Sequence, residues 1–122
     1  MNTTPINITG KIYERPWGTY QTLSMGDGYQ VKIIKVKPDG RLSLQKHAKR
    51  SEHWVVIAGK PTITVGDIVK TYSVNESVFI PVNTLHRLEN FTKEEASIIE
   101  VQIGFYLGED DIIRIEDIYN RD

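Results

Sequence analysis

Apolar residues recur at every second position in short runs along this chain, and turn-forming residues interrupt the runs at short intervals. Period two marks strands whose alternate side chains face a core, and its repetition at this spacing predicts an all-β sandwich or barrel. The runs place strands at 19–23, 30–37, 42–47, 52–58, 61–65, 68–73, 77–80, 86–90 and 96–103. Gly66-Asp67 joins two of them as a two-residue link whose leading glycine suits a tight hairpin. Pro38-Asp39-Gly40 and Val74-Asn75-Glu76 read as further turns. After Gly108 the pattern changes: Glu109-Asp110-Asp111 precedes Ile112, Ile115 and Ile118 spaced by three, which predicts a short helix over 109–119 with acids at its positive end.

Length adds that 122 residues support one core, so residues 1–122 are expected to form a single domain, and no internal repeat or linker divides them. With 15 basic against 16 acidic side chains the net charge is -1, which offers no general attraction to nucleic acid or to an anionic membrane surface. Cysteine is absent, which removes disulfides, thiolate metal sites and a cysteine nucleophile. The opening MNTTPINITG has no basic-then-apolar signal pattern and no run approaches a membrane span, so the expected location is cytoplasmic.

The chemistry concentrates in Leu44-Gln45-Lys46-His47-Ala48-Lys49-Arg50-Ser51-Glu52-His53-Trp54. In a strand Gln45 and His47 share a face, with Lys46 pointing the opposite way. Glu52 opens the next strand on the face that carries Trp54, Val56 and Ala58, so it can point into the same interior. His53 then faces away and is expected to be structural, while Trp17 and Trp54 suit a core or an interface. A fourth donor comes from Pro81-Val82-Asn83-Thr84-Leu85-His86, where a turn delivers His86 at the start of a strand. Two imidazoles, a carboxylate and an amide oxygen suit a borderline-hard divalent ion such as zinc.

These spacings carry a resemblance. Gly40, Gln45-x-His47, Glu52 and Gly59 look like the first motif of the cupins, with Gln45 in place of its usual first histidine. Asn75, Pro81-x-Asn83, His86 and Asn90 look like the second motif, with Asn75 and Asn83 where glycine is common. The resemblance narrows at Arg15-Pro16-Trp17-Gly18, Leu42-Ser43-Leu44-Gln45, Arg50-x-Glu52-His53-Trp54, His86-Arg87-Leu88-Glu89-Asn90 and Gly108-Glu109-Asp110-Asp111-Ile112. These phrases, spread over 15–121, resemble the type II mannose-6-phosphate isomerase domain, commonly the C-terminal part of a bifunctional protein with a mannose-1-phosphate guanylyltransferase. The resemblance implies a double-stranded β-helix, or jelly-roll barrel. It also implies metal ligation by Gln45, His47, Glu52 and His86, a role for Arg50 in isomerisation, and a homodimer. The sequence departs from the family at Ala48 and Lys49, where histidines are usual before the arginine.

What the resemblance implies is interconversion of mannose 6-phosphate and fructose 6-phosphate on the route to GDP-mannose. That reaction moves a proton between carbons 2 and 1 through an enediol, and needs a cation near the developing negative oxygen and an acid–base group. Glu100 and Gln102 alternate with Ile99, Val101 and Ile103, which puts a polar face where a barrel interior is expected and makes Glu100 a candidate base. Arg50, whose guanidinium can grip a phosphate or an enediolate, joins Lys49, Gln102 and Arg114 as candidates for binding the substrate. Ala48 and Lys49 motivate an alternative: a non-catalytic metal-containing module that binds a sugar phosphate or nucleotide sugar beside a separate guanylyltransferase. An iron dioxygenase fits less well, because an amide among the ligands suits redox-neutral chemistry.

Overall fold

The computed structural model describes residues 6–116 and 118. Its strands are β1 (Ile12–Arg15), β2 (Gly18–Gly26), β3 (Tyr29–Val36), β4 (Leu44–Lys46), β5 (Arg50–Ala58), β6 (Thr62–Val65), β7 (Ile68–Thr71), β8 (Ser77–Ile80), β9 (His86–Glu89), β10 (Ala96–Gly104) and β11 (Ile113–Glu116). All pair antiparallel, in a six-stranded sheet of order β1-β2-β3-β10-β5-β8 and a five-stranded sheet of order β11-β4-β9-β6-β7. This is the expected all-β, double-stranded β-helix. Among the described residues no helix is long and apolar enough to cross a membrane.

The predicted strands all appear, with shifted ends. The run 42–47 keeps only Leu44–Lys46 as a strand, Arg41 making an isolated bridge to Glu89. The run 12–15 was not foreseen as a strand and pairs with β2 through a two-residue link, Pro16-Trp17. The helix expected over 109–119 does not form. Residues 113–116 pair with β4 instead, because the isoleucine spacing that resembles a helical stripe lies on an edge strand, where Arg114 falls opposite Gln45 and Ile113 opposite Lys46. Positions 117 and 119 of that expected helix lie outside the described residues, as does Arg121.

Turn chemistry is as the sequence reads. Gly66 takes φ 59° between β6 and β7, and Asp39 and Asn75 take φ 64° and 79° in the other two turns. Asn83, at φ 58°, does the same before His86. Asparagine tolerates this left-handed region better than other non-glycine residues, which accounts for Asn75 and Asn83 at positions where glycine is common.

Register divides the interior into two halves. Along β3 the inward side chains run Gln30, Lys32, Ile34, Val36, and β10 and β5 align with them so that Gln30, Gln102 and Glu52 share one row. Lys32, Glu100 and Trp54 form the next row, and Ile34, Ile98 and Val56 the next. The apolar row joins Val36, Ile63, Ile80 and Leu88 in one buried core, and Lys32, Glu52, Trp54 and Glu100 of the other rows line a cavity. Trp17 is buried in that core, and Gly18 behind it has φ 150°, with the place of a Cβ 1.9 Å from the Lys35 carbonyl oxygen. Gly18→Ala is therefore expected to lower stability by about 2 kcal/mol or more. Urea unfolding checks it, and an unchanged midpoint contradicts this account of the hairpin.

Candidate metal centre and active site

Three strands and the turns between them bring the predicted ligands together. His47 directly follows the short β4, Glu52 sits in β5, and Gln45 lies directly across the β4–β9 ladder from His86. The amide of Asn83 donates to the carbonyl of His47 at 2.8 Å, which ties the two distant ligand segments backbone to backbone. The donor atoms of His47, Glu52 and His86 lie within 4.8 Å of one another, all three residues buried.

The hydrogen bonds set which atoms face inward. Nδ1 of His47 donates to the Asp111 carbonyl at 2.5 Å, and Nδ1 of His86 donates to the Thr84 carbonyl at 2.9 Å. Each bond fixes the tautomer that leaves Nε2 with a lone pair, the form a metal ligand needs. Nε2 of His47 accepts from Arg50 Nη2 at 3.2 Å and lies 3.4 Å from Glu52 Oε2. Gln45 gives its amide nitrogen to Ser43 Oγ at 3.0 Å, which leaves its carbonyl oxygen as the donor a cation would take. Two inward imidazole nitrogens, a carboxylate and an amide oxygen around one small cavity fit a divalent ion, and the three-residue group can hold a metal.

Glu52 receives Trp54 Nε1 at 2.8 Å on one oxygen and Arg50 Nε at 2.8 Å on the other. Burial alone would raise its pKa, but the Arg50 charge, and then His47 and His86, outweigh burial and hold the carboxyl well below the usual carboxylate range. Glu100 goes the other way. Burial, and then the charge of Glu52, push it up to about 8, against the pull of Lys32. Gln102 Nε2 donates to Glu100 Oε1 at 2.6 Å. Burial lowers His47 to about 4, with Arg50 and His86 reinforcing and Glu52 opposing, which keeps its imidazole neutral at ordinary pH.

The cavity of about 90 Å³ is lined by Gln45, His47, Glu52, His86, Arg50, Glu100 and Arg114 from the sequence-derived set. Gln102 lies behind Glu100, fully buried, and shares a second bond with Gln30 at 2.9 Å. Lys49 does not line the cavity: it is exposed, with its ammonium 4.9 Å from the Tyr106 ring, and Ala48 is exposed beside it. His53 packs outside on Phe79, ring centroids 4.7 Å apart. Trp54 is part of both core and cavity, and stands edge-on to His86 at 5.5 Å.

Sequence reasoning passed over Lys32, Arg15, Glu109 and Asp111. Lys32 was concealed because β3 is apolar on its outer face as well, where Val31 and Ile33 alternate with Gln30 and Lys32. The three acids read as a helix start serve instead as partners: Glu109 pairs with Lys32 at 2.7 Å, and Asp110 accepts from Tyr106. The Asp111 carboxylate accepts from the amides of Ala48 and Lys49, both at 3.0 Å.

The profile of the family described as "Mannose-6-phosphate isomerase C-terminal" matches residues 2–117. The chain belongs to that family. Among curated relatives it is 51% identical over 111 residues to the xanthan biosynthesis protein XanB of Xanthomonas campestris pv. campestris, covering 91% of this chain and 24% of that protein. To the alginate biosynthesis protein AlgA of Pseudomonas aeruginosa it is 51% identical over 107 residues, 88% of this chain and 22% of that one. To a mannose-1-phosphate guanylyltransferase of Salmonella montevideo it is 49% identical over 115 residues, 94% and 24% of the two chains. The chain thus spans about a quarter of the length of these relatives. Among solved structures, a double-stranded β-helix protein from Klebsiella pneumoniae superposes with a TM-score of 0.70 at 15% identity, over 92% of this chain and 90% of that one. The capsular polysaccharide assembling protein CapF of Staphylococcus aureus gives 0.73 at 22%, over 88% and 34%. Both likenesses show the family's cupin fold.

Two outcomes follow from the bonds of this family member. Asp111→Ala releases the turn that carries His47, and zinc affinity measured by calorimetry is expected to fall about 10- to 100-fold; unchanged affinity contradicts a positioning role. In metal-stripped protein Glu100 keeps its proton in the fold up to about pH 8 but loses it in the unfolded chain above about pH 4.3. The folded state therefore binds the extra proton between those values, and stability falls as pH rises. Urea titrations at pH 5 and pH 8 are expected to show a larger loss for wild type than for Glu100→Gln.

Proposed function

We propose that this domain interconverts mannose 6-phosphate and fructose 6-phosphate, with one divalent ion, zinc by the chemistry of its donors, held by Gln45, His47, Glu52 and His86. The observation that carries the reading is Glu100: a buried carboxylic acid outside the ligand group, lining the same cavity, in a member of this family. When bound, the ion supplies positive charge that stabilises negative charge developing on the sugar oxygens at carbons 1 and 2.

The rest falls to the protein's own side chains. Glu100, in its carboxylate form, takes the proton from carbon 2, holds it, and returns it to carbon 1. Gln102 donates to Glu100 Oε1, and the Glu100 carboxyl also hydrogen-bonds with the Glu52 carboxylate, so both neighbours orient it. Arg50 is locked to Glu52 through Nε, and its Nη1 is buried without a partner, a donor available to a substrate oxygen. Arg114 lines the same cavity, whereas Lys49 has no place in the substrate set. Ala48 and Lys49, the residues that favoured a binding-only module, have exposed side chains outside the cavity, so their departure from histidine leaves this chemistry untouched. A relative named as a guanylyltransferase supports placing the reaction upstream of GDP-mannose.

The reading includes a homodimer. On the outer face of the six-stranded sheet, Val31, Val101, His53 and Phe79 form one cross-strand row, and Ile57, Phe79 and Ile103 are each more than 40% exposed. A two-fold pairing of this largely apolar face would cover it. A light-scattering mass of one chain contradicts that.

A coupled assay on the zinc-loaded protein tests the activity. Turnover of mannose 6-phosphate is expected, with Glu100→Gln lowering kcat by about 100-fold or more while KM changes only a few-fold. Absence of turnover by the wild type overturns the reading.

A further inference from the structure

The inner cavity, at about 90 Å³, accommodates only a few water-sized groups beyond its walls, so a hexose phosphate reaching it must extend outward. The space it would enter is a second hollow of about 570 Å³ between β1 and the segment leading into β11. Arg15, Tyr20, Glu109, Ile112 and Arg114 line both, so the two are continuous. Lys11 stands at the outer rim.

Resting on the isomerase reading, we infer that this outer hollow is the phosphate subsite of the same active site, with Arg15 as its principal cation and Arg114 and Lys11 beside it. Carbons 1 and 2 of a hexose 6-phosphate lie at the opposite end of the molecule from its phosphate. One substrate therefore needs a reacting site and an anion site that are separate but connected, which is the arrangement here.

Arg15 is built for the task. It closes the β1–β2 hairpin beside the buried Trp17, and Gly18 allows that hairpin to pack against the Lys35 carbonyl. Its guanidinium lies 5.2 Å from the Tyr20 ring centroid and 5.7 Å from that of Tyr13, and the two rings stack at 4.8 Å. Arg15 gives one bond to the Glu14 carbonyl at 2.7 Å and one to Tyr20 Oη at 3.4 Å, which leaves three of the five guanidinium N–H groups. Among the described residues no carboxylate pairs with it. The acids in the hollow are already engaged: Glu109 by Lys32 and Asn7, Asp110 by Tyr106. Arg50, by contrast, has its charge committed to Glu52 at the reacting end. A held, uncompensated guanidinium at the open end is the group that a phosphate dianion would take.

Calorimetry on the zinc-loaded full chain, with inorganic phosphate, mannose 6-phosphate and unphosphorylated mannose as separate probes, tests the assignment. Arg15→Gln is expected to weaken inorganic phosphate and mannose 6-phosphate by roughly 10- to 100-fold. Zinc affinity and the response to mannose should stay as in wild type, and in turnover the loss should fall on KM more than on kcat. Arg114→Gln, and the double variant, guard against a local effect of one substitution. If wild type binds phosphate through Arg15 yet turns over no sugar phosphate, the subsite stands and the isomerase reading fails. If phosphate binds equally to wild type and to the double variant, needs only the zinc, or does not bind at all, the subsite is overturned.

Discussion

Glu52 is an ionised carboxylate with 1% exposure, and a buried charge of that kind costs several kcal/mol unless its oxygens are fully engaged. The engagement comes from its own strand: Arg50 and Trp54 stand two residues to either side, on the same inward face, and each gives a hydrogen bond of 2.8 Å. Period two therefore does more here than separate core from surface; it lines up a cation, an acceptor and an indole donor along one edge of a cavity. The neighbouring groups then follow from the charge of Glu52. Glu100, pressed against the same charge, retains its proton, and His47 stays neutral because burial weighs more than the carboxylate beside it.

Such an interior is sustained by dividing it. Rows formed by β3, β10 and β5 pass from Gln30, Gln102 and Glu52 at one end to Ile34, Ile98 and Val56 at the other, so polar groups gather at one end and apolar groups at the other. The apolar half supplies the hydrophobic burial, which offsets the cost of an extensively bonded polar half in which Arg50 Nη1 is left without a partner. Removing one member leaves an uncompensated buried group, which is more damaging than replacing the network as a whole.

The strand pattern, the turns and the grouping of His47, Glu52 and His86 were legible because each depends on local rules: alternation, turn residues, and the spacing of polar side chains. What escaped depends on pairing between distant segments. The isoleucines at 112, 115 and 118 carry a helical spacing, yet β4 offers an unpaired edge and residues 113–116 take it. Lys32 is a charged residue on a strand with two apolar-looking faces, and only the approach of Glu109 and Glu100 explains its burial. Lys49, suggested by nearness in sequence to Arg50, turns outward, because the Asp111 carboxylate holds its backbone rather than its side chain. Membership of the isomerase family follows from whole-chain similarity, while the buried acid beside the ligands is a property of the fold that short motifs do not spell out.

Strand β10 is inserted between β3 and β5, so Ala96 pairs with Val36 and Gln102 with Glu52. The first half of the polypeptide thus contains three of the proposed ligands but cannot bring the proton-bearing carboxylate alongside them. During synthesis the cavity remains an open groove until the last of these strands has slotted into the gap, and closing such long loops is slow compared with forming a local hairpin. The residues that could hold a metal and the buried acid therefore emerge in order: His47, Glu52 and His86 all precede β10 in the chain, whereas Glu100 arrives with it. Order of synthesis puts the three clustered residues before the buried acid that completes the cavity wall.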